Sequence, residues 1–224
     1  MNIHFIAIGG SVMHSLAIEL KLNGHNITGS DDIIYDPAKS NLNTHNLLPK
    51  QYGWSISNIH SKLDMIILGM HAKKNNPELI EAQKKNISIL SFPEFIFMYS
   101  KNKKRIVVSG SHGKTTITGM ILHVLTDNNI NADYLLGAKV DILDKQVSLS
   151  KNNIIVIEGD EYLSSAIDSE PKFMHYKPDI LVVSGVAWDH FNVYPTLDSY
   201  QYAFQRILTQ VMKANPYGWA VHRD

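Results

Sequence analysis

A chain of 224 residues, 44% hydrophobic and 19% charged, has room for one large or two small globular domains, and disorder is not the default. Lysine plus arginine number 21, as do aspartate plus glutamate, so a formal charge of zero gives no electrostatic ground for a nucleic acid or an anionic membrane partner. The absence of cysteine excludes disulfide frameworks, thiolate zinc sites and cysteine nucleophiles.

The first predicted strand is Ile3-His4-Phe5-Ile6-Ala7-Ile8, which turns at Gly9-Gly10 into a helix. Val12, Met13, Leu16, Ala17 and Leu20 line one face of that helix, and Gly24 is a natural stop. A short strand over 26–29 leads to Ser30-Asp31-Asp32. A buried strand follows over 64–68, then a helix opened by Asn76-Pro77-Glu78, a strand over 87–90 and a short apolar helix opened by Pro93. Strands alternating with helices predict a parallel sheet with helices on its faces. The turn Gly9-Gly10-Ser11, with Asp31 or Asp32 at ribose distance, suggests a dinucleotide or nucleotide-sugar site. The third glycine of Gly-x-Gly-x-x-Gly is missing, with Met13 in its vicinity, which makes a nicotinamide cofactor the weaker choice. The polar, basic segment 100–104 is the expected boundary, dividing 1–102 from 103–224, and Lys101, Lys103, Lys104 and Arg105 read as a solvated linker end.

The second half starts with an apolar strand over 105–108, then Ser109-Gly110-Ser111-His112-Gly113-Lys114-Thr115-Thr116 at the start of a helix. This order holds nucleoside triphosphates: backbone N–H groups cradle phosphate oxygens, a lysine neutralises the terminal phosphates, and the first threonine hydroxyl can bind Mg²⁺. The motif is a shortened one, because Val108 stands where the usual first glycine would be. Ile117, Met120, Ile121, Val124 and Leu125 recur at helical spacing after it. Strands over 134–136 and 153–157 follow, the second ending in Glu158-Gly159-Asp160-Glu161. Carboxylates at a strand end beside a phosphate loop are what a Mg²⁺–triphosphate complex requires. A strand over 179–184 precedes Trp188-Asp189-His190, and a final helix over 197–212 carries Tyr200, Phe204, Ile207, Leu208 and Val211 on one face. A lone histidine is more often structural than catalytic, yet His190 falls on the strand-end edge where open α/β sheets bind ligands. Residues 212–224 close with Asn215-Pro216-Tyr217-Gly218, and no further strand is expected there. No run approaches the ~20 apolar residues that span a bilayer, and the N-terminus lacks a secretory pattern, so a cytoplasmic protein is expected.

Five segments together resemble the Mur ligases, which join amino acids or peptides to UDP-N-acetylmuramate: Ala7 to Met13, Thr28-Gly29-Ser30-Asp31, Ser109 to Thr116, Asp160-Glu161 and Asp189-His190. The stretch from Asp160-Glu161-Tyr162 through Lys172 to Pro178 is more similar to the murein-tripeptide branch, with the L-alanine-adding branch as the alternative. The resemblance implies a Rossmann-like N-terminal domain that binds UDP-N-acetylmuramate and a P-loop ATPase-like α/β central domain, partial in this sequence. It implies ATP and Mg²⁺ as cofactors and L-Ala-γ-D-Glu-meso-diaminopimelate as the second substrate, joined through an acyl phosphate. By the same resemblance, Gly110, Ser111, His112, Gly113, Lys114, Thr115 and Thr116 would hold ATP. Thr115, Glu161 and His190 would bind metal, Lys114, Glu161 and His190 would serve catalysis, and Gly9, Gly10, Ser11 and Asp31 would meet the UDP moiety. Mur ligases carry a third, C-terminal domain that this sequence does not include, so a binding fragment without turnover is a further alternative.

Overall fold

The computed structural model describes residues 1–138, 140, 143–214 and 220–222. They form two compact units, the first made of Met1–Phe95 with Ser164–Ser169 and the second of the rest of the described chain.

In the first unit, β1 (Asn2–Ile6), α1 (Ser11–Leu22), β2 (Asn26–Ser30), α2 (Ala38–Thr44), β3 (Met65–Leu68), α3 (Pro77–Lys84) and β4 (Ile89–Ser91) follow one another. The strands lie in the order β2-β1-β3-β4, all pairs parallel. Met65, Ile66, Ile67 and Leu68 are all buried, the continuous apolar run of a strand covered on both faces. β1 stops at Ile6, two residues short of the predicted strand, because Ala7 turns to φ 67° and the N–H groups of Ala7 and Ile8 both donate to the Ser30 carbonyl (2.9 and 3.1 Å). Met13, Leu16, Ala17 and Leu20 bury the predicted face of α1. Beyond its end, Gly24 takes φ 85° and donates to the Lys21 carbonyl at 3.0 Å.

Asn76 caps α3: its side-chain oxygen accepts from the N–H groups of Glu78 (2.9 Å) and Leu79 (3.1 Å), and Pro77 occupies the first helical position. Substituting Asn76→Ala is expected to cost about 1 kcal/mol in chemical denaturation. An unchanged midpoint would show that water replaces the cap without loss. Within the same first turn, the Glu78 carboxylate is fully buried. It accepts from Ser30 Oγ, from the Ser55 N–H (2.9 Å) and from Asn58 Nδ2 (2.7 Å), and His4 Nε2 lies 3.3 Å away. His4 Nδ1 in turn meets Thr28 Oγ1 at 2.8 Å. Burial pushes the Glu78 carboxyl upward, but the bonds from His4, Ser30, Ser55 and Asn58 together outweigh it and hold the pKa below its ordinary value.

The chain continues through α4 (Phe92–Ser100), β5 (Lys104–Ser109), α5 (Lys114–Asp127), β6 (Asp133–Leu135), β7 (Val147–Ser148) and β8 (Ile154–Gly159). Then come β9 (Leu163–Ser165) and β10 (Asp168–Pro171), which pair with each other, α6 (Lys172–His175), β11 (Ile180–Val183), α7 (Leu197–Ala214) and β12 (Ala220–His222). The second sheet has the order β12-β11-β5-β8-β6-β7, parallel throughout except for β7 against β6. Val107 and Val108 of the central strand are fully buried. A Cβ at Gly159 would stand 2.5 Å from Val107 Cγ1, so this β8 terminus admits only glycine without a shift of its neighbour.

Three expectations are corrected here. The apolar spacing after Lys114 does not mark the packed face of α5: Thr118, Gly119 and Leu122 are buried, whereas Met120 and Val124 are 62% and 59% exposed. Small residues face the sheet there, which a count of large apolar side chains passes over. A further strand does exist near the end, β12, whose Ala220 and Val221 pair with Leu181 and Val182. Three residues are too few to show a period, and partners about forty positions back supply the ladder. The Asn215–Gly218 segment lies outside the described residues. The basic cluster is a solvated linker end only at Lys101 and Lys104, which are exposed. Lys103 Nζ meets the fully buried Asp133 carboxylate at 2.8 Å, and Arg105 pairs with Asp179 at 3.2 Å. Among the described residues no helix is long and apolar enough to cross a membrane.

Candidate active site

The phosphate-loop segment sits where β5 gives way to α5. Gly110 adopts φ 130°, and a Cβ there would stand 2.4 Å from Ser184 Oγ and 2.9 Å from the Gly185 carbonyl oxygen. Gly113 adopts φ 76° as the residue before α5, with no side chain capping the helix start. Glycine is required at both places by backbone sign, and at the first by space as well. Between them the loop is tied to the segment after β11: Ser111 Oγ donates to the Ala187 carbonyl (2.6 Å), and Ser184 Oγ donates to the His112 carbonyl (2.5 Å). The result is a fixed backbone turn opening onto a helix N-terminus, where N–H groups and the helix dipole favour an anion.

Lys114, the first residue of α5, places Nζ 2.6 Å from the Gly110 carbonyl and 3.1 and 3.3 Å from the two carboxylate oxygens of Glu161. Glu161 lies just beyond β8 with its side chain fully buried. From beyond β11, His190 brings Nε2 to 3.2 Å of Glu161 Oε1. His190 holds φ 56°, a left-handed conformation that histidine tolerates at modest cost, with its N–H on Asp189 Oδ1 (2.7 Å) and its ring edge-on to Tyr162. Lys114, Glu161 and His190, predicted from three separate segments, therefore meet at the carboxyl ends of adjacent parallel strands.

The Thr115 hydroxyl lies 3.0 Å from both oxygens of Glu158, a carboxylate at the end of β8. Glu158 also accepts the Gly137 N–H at 2.8 Å. Thr116 and the His112 side chain are exposed. Asp160 is bound by Lys172 Nζ (2.6 Å) and the Tyr162 N–H (3.0 Å). Burial alone would raise the Asp160 carboxyl. The charges of Lys172 and Lys114 and these hydrogen bonds prevail, leaving it below its ordinary value. Asp160, Glu161 and His190 offer ligand atoms within 4.8 Å of one another. Carboxylate and hydroxyl oxygens are the donors a hard divalent cation takes, so Thr115, Glu158, Asp160 and Glu161 fit Mg²⁺ by chemistry, with His190 as a nitrogen donor.

Two tyrosines complete this cluster, Tyr200, which the sequence shows only as part of an apolar helix face, and Tyr194, which carries no motif. Tyr200 of α7 is fully buried, with Oη 3.0 Å from Glu161 Oε1 and 3.3 Å from Ser111 Oγ. Tyr194 Oη donates to the Glu161 carbonyl at 2.6 Å. A phenol in an apolar helix stripe needs a partner for its hydroxyl, and that was the available signal.

In the first unit, Gly9, Gly10 and Asp31 gather at the β1 and β2 ends. The Gly9 N–H donates to Asp31 Oδ2 at 2.7 Å, and a Cβ on Gly9 would stand 2.9 Å from that oxygen and from Ile34 Cγ1. Gly10 precedes α1 with no side-chain cap, and Ser11 opens the helix exposed. Asp31 also accepts the Asp32 N–H at 3.0 Å. Burial pushes the Asp31 carboxyl up to about 6, against the lowering effect of the Gly9 N–H. A carboxyl raised in the folded state contributes stability below its unfolded value that is lost as pH rises through the folded one. The thermal midpoint of the wild type relative to Asp31→Asn is therefore expected to fall between pH 4 and about 7. A difference that stays flat across that window would place the Asp31 titration elsewhere.

Residues 2–104 match the Mur ligase family, catalytic domain, and residues 108–221 match the Mur ligase middle domain. The chain is 29% identical over 213 residues to the UDP-N-acetylmuramate--L-alanyl-gamma-D-glutamyl-meso-2,6-diaminoheptandioate ligase of Haemophilus influenzae, covering 94% of this chain and 46% of that protein. It is 34% identical over 218 residues to the UDP-N-acetylmuramate--L-alanine ligase of Clostridium botulinum, covering 95% and 44%. Among solved structures, UDP-N-acetylmuramate:L-alanyl-gamma-D-glutamyl-meso-diaminopimelate ligase from Neisseria meningitides superposes with a TM-score of 0.84 at 26% identity, covering 94% of this chain and 68% of that one. The chain thus spans less than half the length of the two curated relatives.

Proposed function

The chain belongs to the Mur ligase family, and on that premise we propose that it carries the nucleotide and UDP-sugar sites of an ATP-dependent ligase. That ligase attaches the murein tripeptide L-Ala-γ-D-Glu-meso-diaminopimelate to UDP-N-acetylmuramate in the cytoplasm, with residues 1–102 binding the UDP-sugar and 103–224 binding ATP. The observation that carries this reading is the meeting of Lys114, Glu161 and His190 beside the glycine turn of 110–113.

In the proposed reaction a carboxylate oxygen of the sugar's lactyl group attacks the γ-phosphorus of ATP, and the bond to the β-phosphate oxygen breaks, leaving ADP and an acyl phosphate. The peptide's amine then adds to the carbonyl, loses its proton and expels inorganic phosphate. The protein's part is positioning and electrostatics. The backbone of 110–113 holds phosphate oxygens, and Lys114 leaves Glu161 to neutralise charge on the transferring group. A bound Mg²⁺ would supply further charge neutralisation, held by Thr115, Glu158 and Glu161 with His190 nearby. Gly10 and Ser11 offer helix-start N–H groups to the UDP diphosphate, while Gly9, whose N–H is held by Asp31, leaves the turn without a side chain.

A second reading, in which the amine is L-alanine, is favoured by the higher identity to the Clostridium botulinum protein, 34% against 29%. Both readings share the two binding sites. The test is the thermal midpoint of the chain with UDP-N-acetylmuramate, with Mg·ATP and with NADH. A ligand at about 100 times its Kd stabilises the folded state by roughly 2.7 kcal/mol. Midpoints raised by the first two ligands and not by NADH support the proposal. A chain that melts unchanged with both would overturn it.

A further inference from the structure

The Glu161 carboxylate is crowded by donors of two kinds. Lys114 Nζ and His190 Nε2 reach it from partly accessible side chains, 15% and 28% exposed. Tyr200 reaches it from a fully buried position on α7 and cannot swing away, because its ring is packed edge-on against Tyr194 (centroids 5.2 Å apart) and against Phe204 (5.2 Å). The direction of the phenol bond follows from counting protons. Ser111 Oγ sends its single proton to the Ala187 carbonyl at 2.6 Å, so it has none for Tyr200. Glu161 Oε1, at 3.0 Å, is a charged acceptor and closer than Ser111 Oγ at 3.3 Å.

We propose that Tyr200 is a positioning residue for the candidate metal and phosphate site, its hydroxyl fixing the orientation of Glu161 while Lys114 and His190 exchange it for incoming groups. Tyr194 anchors the same residue from behind through the Glu161 carbonyl. Glu161 is thus held at main chain and side chain by two phenols from the segment that follows β11. When Lys114 turns to a phosphate, the carboxylate retains one fixed donor and keeps its remaining lone pairs directed at the loop. This inference rests on the reading of the loop as a Mg·nucleotide site.

The test compares wild type, Tyr200→Phe and Glu161→Gln for binding of Mn²⁺ in the presence of ATP, read by the Mn²⁺ electron paramagnetic resonance signal, alongside the thermal midpoint of each protein. Tyr200→Phe keeps the ring and its packing and removes one hydroxyl. Partners that orient a ligating side chain typically affect metal affinity by about 10- to 100-fold. The expected result is a Mn²⁺ affinity at least about tenfold weaker in Tyr200→Phe, with little change in the midpoint of the unliganded protein. A Mn²⁺ affinity equal to wild type in Tyr200→Phe, with Glu161→Gln impaired, would overturn the role of Tyr200 and leave the site reading intact. Loss of binding explained by a collapsed midpoint would make Tyr200 a packing residue and overturn the inference too. Failure of the wild type to bind Mn²⁺ with ATP would overturn the site reading, and this inference with it.

Discussion

Replacing Lys114 by alanine is expected to weaken Mg·ATP binding by on the order of 10- to 100-fold while UDP-N-acetylmuramate binding survives. Hydrogen bonds to charged groups contribute about 1.5–3 kcal/mol each, and every 1.4 kcal/mol is tenfold in affinity. Lys114 sits at the first position of α5, its Nζ 2.6 Å from the Gly110 carbonyl, so it already arches over the turn that would hold the phosphates. The substitution also removes one partner of the buried Glu161. Breaking a buried ion pair costs about 3–5 kcal/mol when the remaining charge is left bare. Here His190 and Tyr200 still face the carboxylate, so the loss of stability should fall below that range. Isothermal titration with each ligand separates the two effects. Unaltered Mg·ATP affinity in Lys114→Ala would remove the phosphate-loop assignment.

The largest effect on stability is expected at Glu78, which the sequence marked only as part of a helix start. Its carboxylate joins β1, β2, the 55–58 segment and α3 through His4, Ser30, Ser55 and Asn58. Glu78→Ala strands these donors in the interior and is expected to cost about 3–5 kcal/mol, enough to unfold a marginal domain at moderate temperature. Glu78→Gln keeps the volume and one acceptor oxygen, and is expected to cost less. The acid limb gives a second signature. A carboxyl held below its ordinary value adds stability that is present above the unfolded pKa and lost as pH falls through the folded one. Urea unfolding followed by circular dichroism should therefore show a smaller loss of stability in Glu78→Gln than in wild type on acidification below the ordinary glutamate range. Equal acid limbs, or a Glu78→Ala protein as stable as wild type, would show that the network contributes nothing net.

What could be read from the sequence were the features with local causes. The Asn76-Pro77 helix start, the Gly24 stop and the glycines of 110–113 follow from propensities and backbone sign within a few residues. The parallel sheets followed from apolar runs alternating with helical stretches. What could not be read depends on partners far along the chain. Lys103 and Arg105 look solvated until Asp133 and Asp179 are brought to them. The three-residue β12 forms because β11 offers it an edge. That the Thr115 hydroxyl meets Glu158 follows from Glu158 being the last side chain of β8, a matter of sheet register with no trace in motif spacing. Tyr200 is apolar by helical period and polar by its one hydroxyl, and only the fold shows which atom that hydroxyl meets.

The turn over 110–113 and the start of α5 are expected to hold the triphosphate, and the 9–11 turn the UDP-sugar. Amide hydrogen exchange of the chain, read peptide by peptide with each ligand alone, tests this most directly. Slowed exchange over 109–117 with Mg·ATP and over 7–13 with UDP-N-acetylmuramate is the predicted result. Slowing elsewhere with both of these segments unchanged would contradict it.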